Sequence, residues 1–277
     1  MKSAAVGVLL CTSFLWAGSA HKPPESLVIS NVNVVDTRYG GIHPHVTVVA
    51  IDGVIVSISK FALVQTGKHD RVINAEGKYL IPGLWDMHAR LSMHPDWNRK
   101  SLLALYVVNG VTGLRDPQGM VEEPATTQPE LPVPEIAMPG PTLHPELAIV
   151  DRDAIGGVEE SMLARTPGAW LHLELEALAK QGRTPLELLQ SATYNAALYM
   201  AKLDKYGVIE RGHIADMVLL DENPLEDVRN TRKIAGVILR GTYFPRVELD
   251  ALRVREQNEL DPLAADAVKN SVLKTGR

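Results

Sequence analysis

The sequence predicts an α/β protein with β-rich ends. Three observations carry that expectation. Residues 26 to 80 hold runs of β-branched residues, Leu27-Val28-Ile29, Val32 to Val35, Val46 to Ile51 and Val54 to Ile58, which suit a pleated surface. Strand character returns from Gly207, at Gly207 to Glu210, Ala215 to Leu220 and Ile234 to Leu239. Between these ends a strand, a helix and a second strand alternate, which is the pattern of a parallel α/β unit.

The chain begins with a distinct segment. Lys2 precedes an apolar run from Ala4 to Trp16, and the small residues Ala17-Gly18-Ser19-Ala20 follow. This is the three-part pattern of a secretory signal peptide cleaved after Ala20, and it predicts a secreted or periplasmic protein. A membrane anchor is the alternative, although the run is short for a span of about 20 residues. A lipid on Cys11 is a further alternative, against which Leu10 stands where a small residue is expected. Cys11 is the only cysteine, so a chain cleaved after Ala20 has no disulfide and no thiolate metal site. No later stretch is long and apolar enough to span a bilayer.

With 277 residues, 45% of them hydrophobic, the chain can bury a sizeable core in one or two domains. A net charge of −5 and an aromatic share of 5% argue against a nucleic-acid partner, which wants a basic, base-stacking face.

Within residues 26 to 80, Asp52-Gly53 separates two strand runs and signals a tight hairpin. A second turn falls at Arg38 to Gly41, and the segment reads as a small antiparallel sandwich. Pro82-Gly83 ends that region, and an apolar strand then runs through Leu84-Trp85 to the polar tip Asp86-Met87-His88. Residues 97 to 109 predict a helix closed by Asn109-Gly110. Val111 to Leu114 predicts a strand ending at Arg115-Asp116. Residues 117 to 146 are proline-rich and aperiodic, with one short strand near Ile136. Leu147 to Val150 predicts another strand, ending in Asp151-Arg152-Asp153. Helices follow at Ala169 to Gln181 and from Thr184, where Thr184-Pro185-Leu186-Glu187 is a capping box with proline at the first helical position. Asn195 to Ala201 predicts one more helical turn or two. Residues 248 to 277 read as a surface helix or a tail.

These segments, in this order, resemble the amidohydrolase superfamily, in particular its imidazolonepropionase-like and prolidase-like branch. "VINAEGKYLIPGLWDMH" and "NGVTGLRD" resemble the family's entry into its barrel and its second strand. "LHLELEALAKQGRTPLELLQSATYNAA", "GVIERGHIADMVLLDENPLEDVRN" and "IAGVILRGTYF" resemble its last barrel helix and its return to the sandwich. The resemblance implies a TIM barrel plus a small β-sandwich built from both chain ends. It also implies one or two divalent metals at the C-terminal mouth of the barrel. Their ligands are an H-x-H pair on the first strand, a lysine (often carbamylated) on the fourth, histidines on the fifth and sixth, and an aspartate on the eighth. Metal-bound water then attacks a polarised carbonyl, and the aspartate carries the proton.

Two departures stand out. The H-x-H pair reads His88-Ala89-Arg90, and a guanidinium cannot bind a cation. Pro82 to Gly207 is also too short for a barrel of roughly 200 to 250 residues, leaving no counterpart to strands four to seven. The expected fold is therefore an incomplete TIM barrel, residues 81–206, beside a composite sandwich of residues 26–80 and 207–247.

On this alignment the metal ligands are His88 and Asp153, with Asp153 also the catalytic proton carrier. The cofactor is a divalent metal, zinc first, or none. His94 and His144 are loop histidines, and His172 is a packed or partly exposed helix residue. His43, His45, His69 and His213 read as surface, and Asp216 as structural. Three functions compete: a hydrolase of C–N bonds in a small cyclic amide or dipeptide, a non-catalytic product of internal deletion, and a small-ligand binding module. Unpaired strand edges of a partial barrel predict self-association.

Overall fold

The computed structural model describes residues 26–60, 70–89, 91, 98–116, 131–137 and 167–260. Eight strands form one sheet that draws on both ends of that chain. From the first part come β1 (Ser26–Val35), β2 (Ile42–Ile51), β3 (Val54–Ser59), β4 (Asp70–Asn74) and β5 (Tyr79–Pro82). From the last part come β9 (Met217–Leu220), β10 (Ile234–Leu239) and β11 (Thr242–Pro245). Their order is β11-β10-β9-β5-β1-β2-β3, with β4 also paired to β1. The seam between the two parts is the antiparallel pair β5–β9, with Tyr79, Leu80, Ile81 and Pro82 opposite Leu220, Leu219, Val218 and Met217.

That seam is buried on both faces. Leu80, Met217, Leu219 and Ile238 point into an inner core with Ile29, Val32, Val48 and Ile55. Ile81, Val218, Leu220, Val237 and Leu239 point the other way, into a larger core shared with the helices. A strand covered on both sides needs a continuous apolar run, and the residues of β9, Met-Val-Leu-Leu, supply one.

Asp52-Gly53 makes the hairpin turn expected of it, with φ of 48° and 80°, the positive values of a type I′ turn. Arg240-Gly241, with φ of 46° and 78°, makes a second such turn between β10 and β11. The two tips meet backbone to backbone, since a Cβ on Gly241 would lie 3.0 Å from the Cα of Gly53. Ala215 clips both turns: its N–H donates to Gly53 O at 2.8 Å, and its carbonyl accepts from Gly241 N at 3.0 Å.

The second sheet has three parallel strands in the order β6 (Leu84–Asp86), β7 (Val111–Arg115) and β8 (Glu135–Ala137). Helix α1 (Arg99–Val108) crosses from β6 to β7. Asn98 caps its start by accepting from Lys100 N and Ser101 N. Among the described residues three helices follow: α2 (Ala169–Lys180), α3 (Pro185–Ser191) and α4 (Tyr194–Tyr199). The capping box of α3 is complete, with Thr184 Oγ1 accepting from Glu187 N and the Glu187 carboxylate accepting from Thr184 N. On its other edge β6 donates Trp85 N to Ala192 O at 2.8 Å, so the α3–α4 junction holds the edge opposite β7.

Two expectations need correction. Residues 207 to 210 form no strand. The residues from 248, expected as a surface helix or a tail, are helical as far as Leu260: α5 (Arg246–Leu260) buries Leu249, Leu252 and Glu256 and packs on α1. Two such leucines contribute about 1.5–3 kcal/mol each. His213 is buried, its Nε2 donating to Leu203 O at 3.0 Å, because its backbone supports the β2–β3 hairpin through Ile55 N. The strand expected at Leu147 to Val150 lies outside the described residues, as does His69.

Two buried ionisable groups tie this framework together. His172 on α2 donates from Nε2 to Asn109 O at 2.8 Å, and its Nδ1 lies 2.9 Å from Thr231 Oγ1. Burial, with Arg232 nearby, holds it neutral by lowering its pKa to about 4, against the Asn109 hydrogen bond. Asp216 accepts from Arg240 N at 2.6 Å, and burial pushes its pKa up to about 6.

The two oppose each other with pH. From about pH 6.5 down to 4 the unfolded chain protonates His172 and the folded chain does not, so this group makes stability fall as pH falls. Between about pH 3.8 and 6 the folded chain keeps the Asp216 proton and the unfolded chain loses it, so this group makes stability fall as pH rises. Each is worth roughly 3 kcal/mol over its window. Asp216→Asn should leave the His172 term exposed, steepening the rise in stability from pH 4 to 6.5. His172→Gln should reverse that slope relative to the parent. Urea midpoints across this range check both. A separate test lies at Gly113, where an added Cβ would sit 2.3 Å from the Trp85 ring. Gly113→Ala should destabilise by about 1–3 kcal/mol, measured by denaturant unfolding.

Candidate functional site

Parallel strands bring their C-terminal ends to one side, and in α/β proteins that side carries the site. Here β6 ends at Asp86 and runs on to His88, and β7 ends at Arg115 and runs on to Asp116. The two ends are joined by Ala89 N donating to Arg115 O at 3.1 Å. The Asp86 carboxylate accepts from His88 N at 2.9 Å, a local turn that fixes the backbone beneath the imidazole. His88 is half-buried, and Asp116 is buried at 2% exposure.

Arg115 spans the two strand ends. Its Nη1 reaches Met87 O at 3.4 Å, and its guanidinium lies 5.2 Å from the centre of the Tyr199 ring on α4. Below this layer Trp85, Met87, Ala137, Ala196 and Tyr199 pack into a small apolar cluster. Tyr206 closes it edge-on against Trp85, ring centres 5.4 Å apart. Burial, and the carboxylates of Glu135 and Asp216, push the Tyr206 phenol up, so it stays a neutral donor. The mouth therefore has an aromatic floor, with an imidazole, a guanidinium and a carboxylate at its rim.

On the other side of β6, Asp86 and Glu174 are both 5% exposed. They border one cavity of about 20 Å³ with Ser191. It is too small for a substrate, so these carboxylates belong to the packing of β6 against α2 and α3.

The structure places His88 at the mouth. Asp153, the second candidate ligand and proton carrier, lies outside the described residues, as do Arg90, His94 and His144. For a divalent metal the described residues of the mouth offer His88 and Asp116. Among the described residues no group of three or more His, Cys, Asp or Glu is placed to hold a cation. A zinc site needs three or four protein ligands, so this donor set does not fit one. Asp116, Arg115 and Tyr199 were not singled out from the sequence. Asp116 had the same signal as His88, an apolar strand running into a polar tip. Tyr199 had none, because only the packing of α4 brings it there.

Known proteins resemble this chain in sequence and in fold. Residues 150–243 match the model of the amidohydrolase family. An ochratoxinase of Aspergillus niger is 42% identical over 65 residues, 23% of this chain and 14% of that protein. The matched stretch is thus a small part of a longer relative. Among solved structures, molinate hydrolase aligns over 80% of this chain and 95% of its own, with 13% identity and a TM-score of 0.60. The A. niger ochratoxinase structure aligns over 80% and 96%, with 14% identity and a TM-score of 0.56. A Xaa-Pro dipeptidase aligns over 79% and 100%, with 13% identity and a TM-score of 0.57. Members of this family are generally metal-dependent hydrolases. Residues 150–243 thus resemble the amidohydrolase family in sequence, and the mixed α/β fold is similar to that of these hydrolases.

Proposed function

We propose that this chain descends from hydrolases of C–N bonds in small cyclic amides or dipeptides, and that its own metal-assisted hydrolysis is lost or severely impaired. The observation that carries the reading is Arg90. In the His88-Ala89-Arg90 motif a fixed positive charge replaces the second imidazole. Arginine stays protonated and has no lone pair to give a metal. The substrate class rests on the resemblance and on the activities of proteins of similar fold, such as the Xaa-Pro dipeptidase.

The proposal has further parts. Residues 26–80 and 207–247 act as one composite domain, and residues 81–206 as a barrel shortened internally. The chain is exported by its first twenty residues, and zinc is the metal that the ancestral site held. The partial barrel self-associates through strand edges left without neighbours. Among the described residues no helix is long and apolar enough to cross a membrane.

The test is elemental mass spectrometry on residues 21–277 after loading with zinc or manganese. The parent chain should carry background metal only and show no turnover of dipeptides or cyclic amides. Arg90→His, which restores the H-x-H pair, should raise metal affinity above that of the parent by supplying a second imidazole ligand. Stoichiometric metal in the parent, lost in His88→Ala and Asp153→Ala, would overturn the reading.

A further inference from the structure

A second concavity lies at the opposite end of the strands from His88 and Asp116. It is a groove of about 660 Å³ between α1, α2, α5 and the start of β10. Asn109, which precedes β7, lies on its wall. This volume falls in the usual range for small-molecule sites, about 300–1,000 Å³.

The charges of its wall are unusual for a protein of net charge −5. Arg232, Lys233, Arg246 and Arg253 line it, against Asp221 and Glu222. His172 at its base adds no charge near neutral pH, since its pKa is lowered to about 4. Most of the cations are already satisfied. Lys233 pairs with Glu222 at 2.5 Å and Arg232 with Glu176 at 3.7 Å. Arg246 makes a two-pronged pair with Asp250. Asp221 is held at 2.5 Å by Lys78.

Arg253 is the exception. Among the described residues it has no ion-pair partner, although it sits half-buried on the wall. Arg246, Arg253 and Gln257 recur along one stripe of α5 and all face the groove. Burial and the nearby Arg246 lower the Arg253 pKa, with Asp250 only partly offsetting them. A guanidinium held in a concavity beside a second one, with no carboxylate of its own, favours an incoming anion. Its planar fork matches two oxygens of a phosphate group, and Gln257 and Asn109 add neutral hydrogen-bonding groups to the same wall.

We infer that this groove is a binding site for a phosphate group, free or carried on a small molecule, with Arg253 as its main contact and Arg246 and Lys233 as supporting charges. The inference is independent of the metal chemistry of the mouth, because it rests on different residues at the other end of the strands.

Isothermal titration of the full chain with inorganic phosphate and, separately, with ribose 5-phosphate tests it. Saturable binding of at least one probe is expected, weakened at least about tenfold by Arg253→Gln, the loss of one charged hydrogen-bonding partner. Arg253→Lys should fall between the two, because it keeps the charge and loses the fork. Arg229→Gln, at an exposed pair with Asp227 outside the groove, should bind as the parent does. Circular dichroism confirms that each variant is folded. Equal affinity for both probes identifies a free-anion site, and tighter binding of the sugar phosphate identifies a phosphorylated small molecule. Absence of saturable binding for both probes, or affinity unchanged in folded Arg253→Gln, would overturn the inference.

Discussion

The pairing of β5 with β9 is the constraint on which the rest of the molecule depends. It joins residues 79–82 to residues 217–220, two stretches separated by every helix between α1 and α4. Closing a loop of that length is entropically unfavourable, so the pair needs strong compensation. It has this because the strands are buried on both faces: Leu80 and Leu219 belong to one core, and Ile81, Val218 and Leu220 to the other. Losing the seam would expose both cores together.

The three-stranded sheet hangs from this wall. Pro82 ends β5, and Gly83 donates to Asp216 O at 2.8 Å before β6 begins. Gly83 has no room for a side chain, since a Cβ there would meet Thr112 Oγ1 at 1.9 Å. The chain therefore passes directly from the wall into the strand that carries Trp85, Asp86 and His88. The position of His88 is set by backbone geometry two residues after β6, and Arg115 and Tyr199 are set against it by β7 and α4. These contacts build the frame around His88. Whether it holds a metal is a separate matter of donor chemistry.

Local signals were legible where a single residue type has a single physical use. Asp52-Gly53 adopts the positive φ angles that its turn demands, and Thr184 with Glu187 closes a capping box whatever surrounds it. His88 was legible through its motif. What sequence could not reveal depends on packing between distant segments. The residues from 248 read as a surface helix or a tail, and only packing on α1 shows that Leu249 and Leu252 are buried. His213 looked exposed until the hairpin tip of Gly53 closed over the segment that carries it. Glu174 and Tyr199 enter the surroundings of β6 because α2 and α4 turn those faces toward it. The Arg253 groove combines residues from four separate elements, and no periodicity in the chain announces it.

The most direct test of the central role of the β5–β9 seam is native-state amide hydrogen exchange across a denaturant series. The amides of residues 79–82 and 217–220 that can exchange should show the highest protection in the protein. They should open together, with one dependence on denaturant, in the global unfolding step. Exchange of residues 217–220 in a separate, low-energy opening, with residues 79–82 and the β6–β7 strands still protected, would contradict the account.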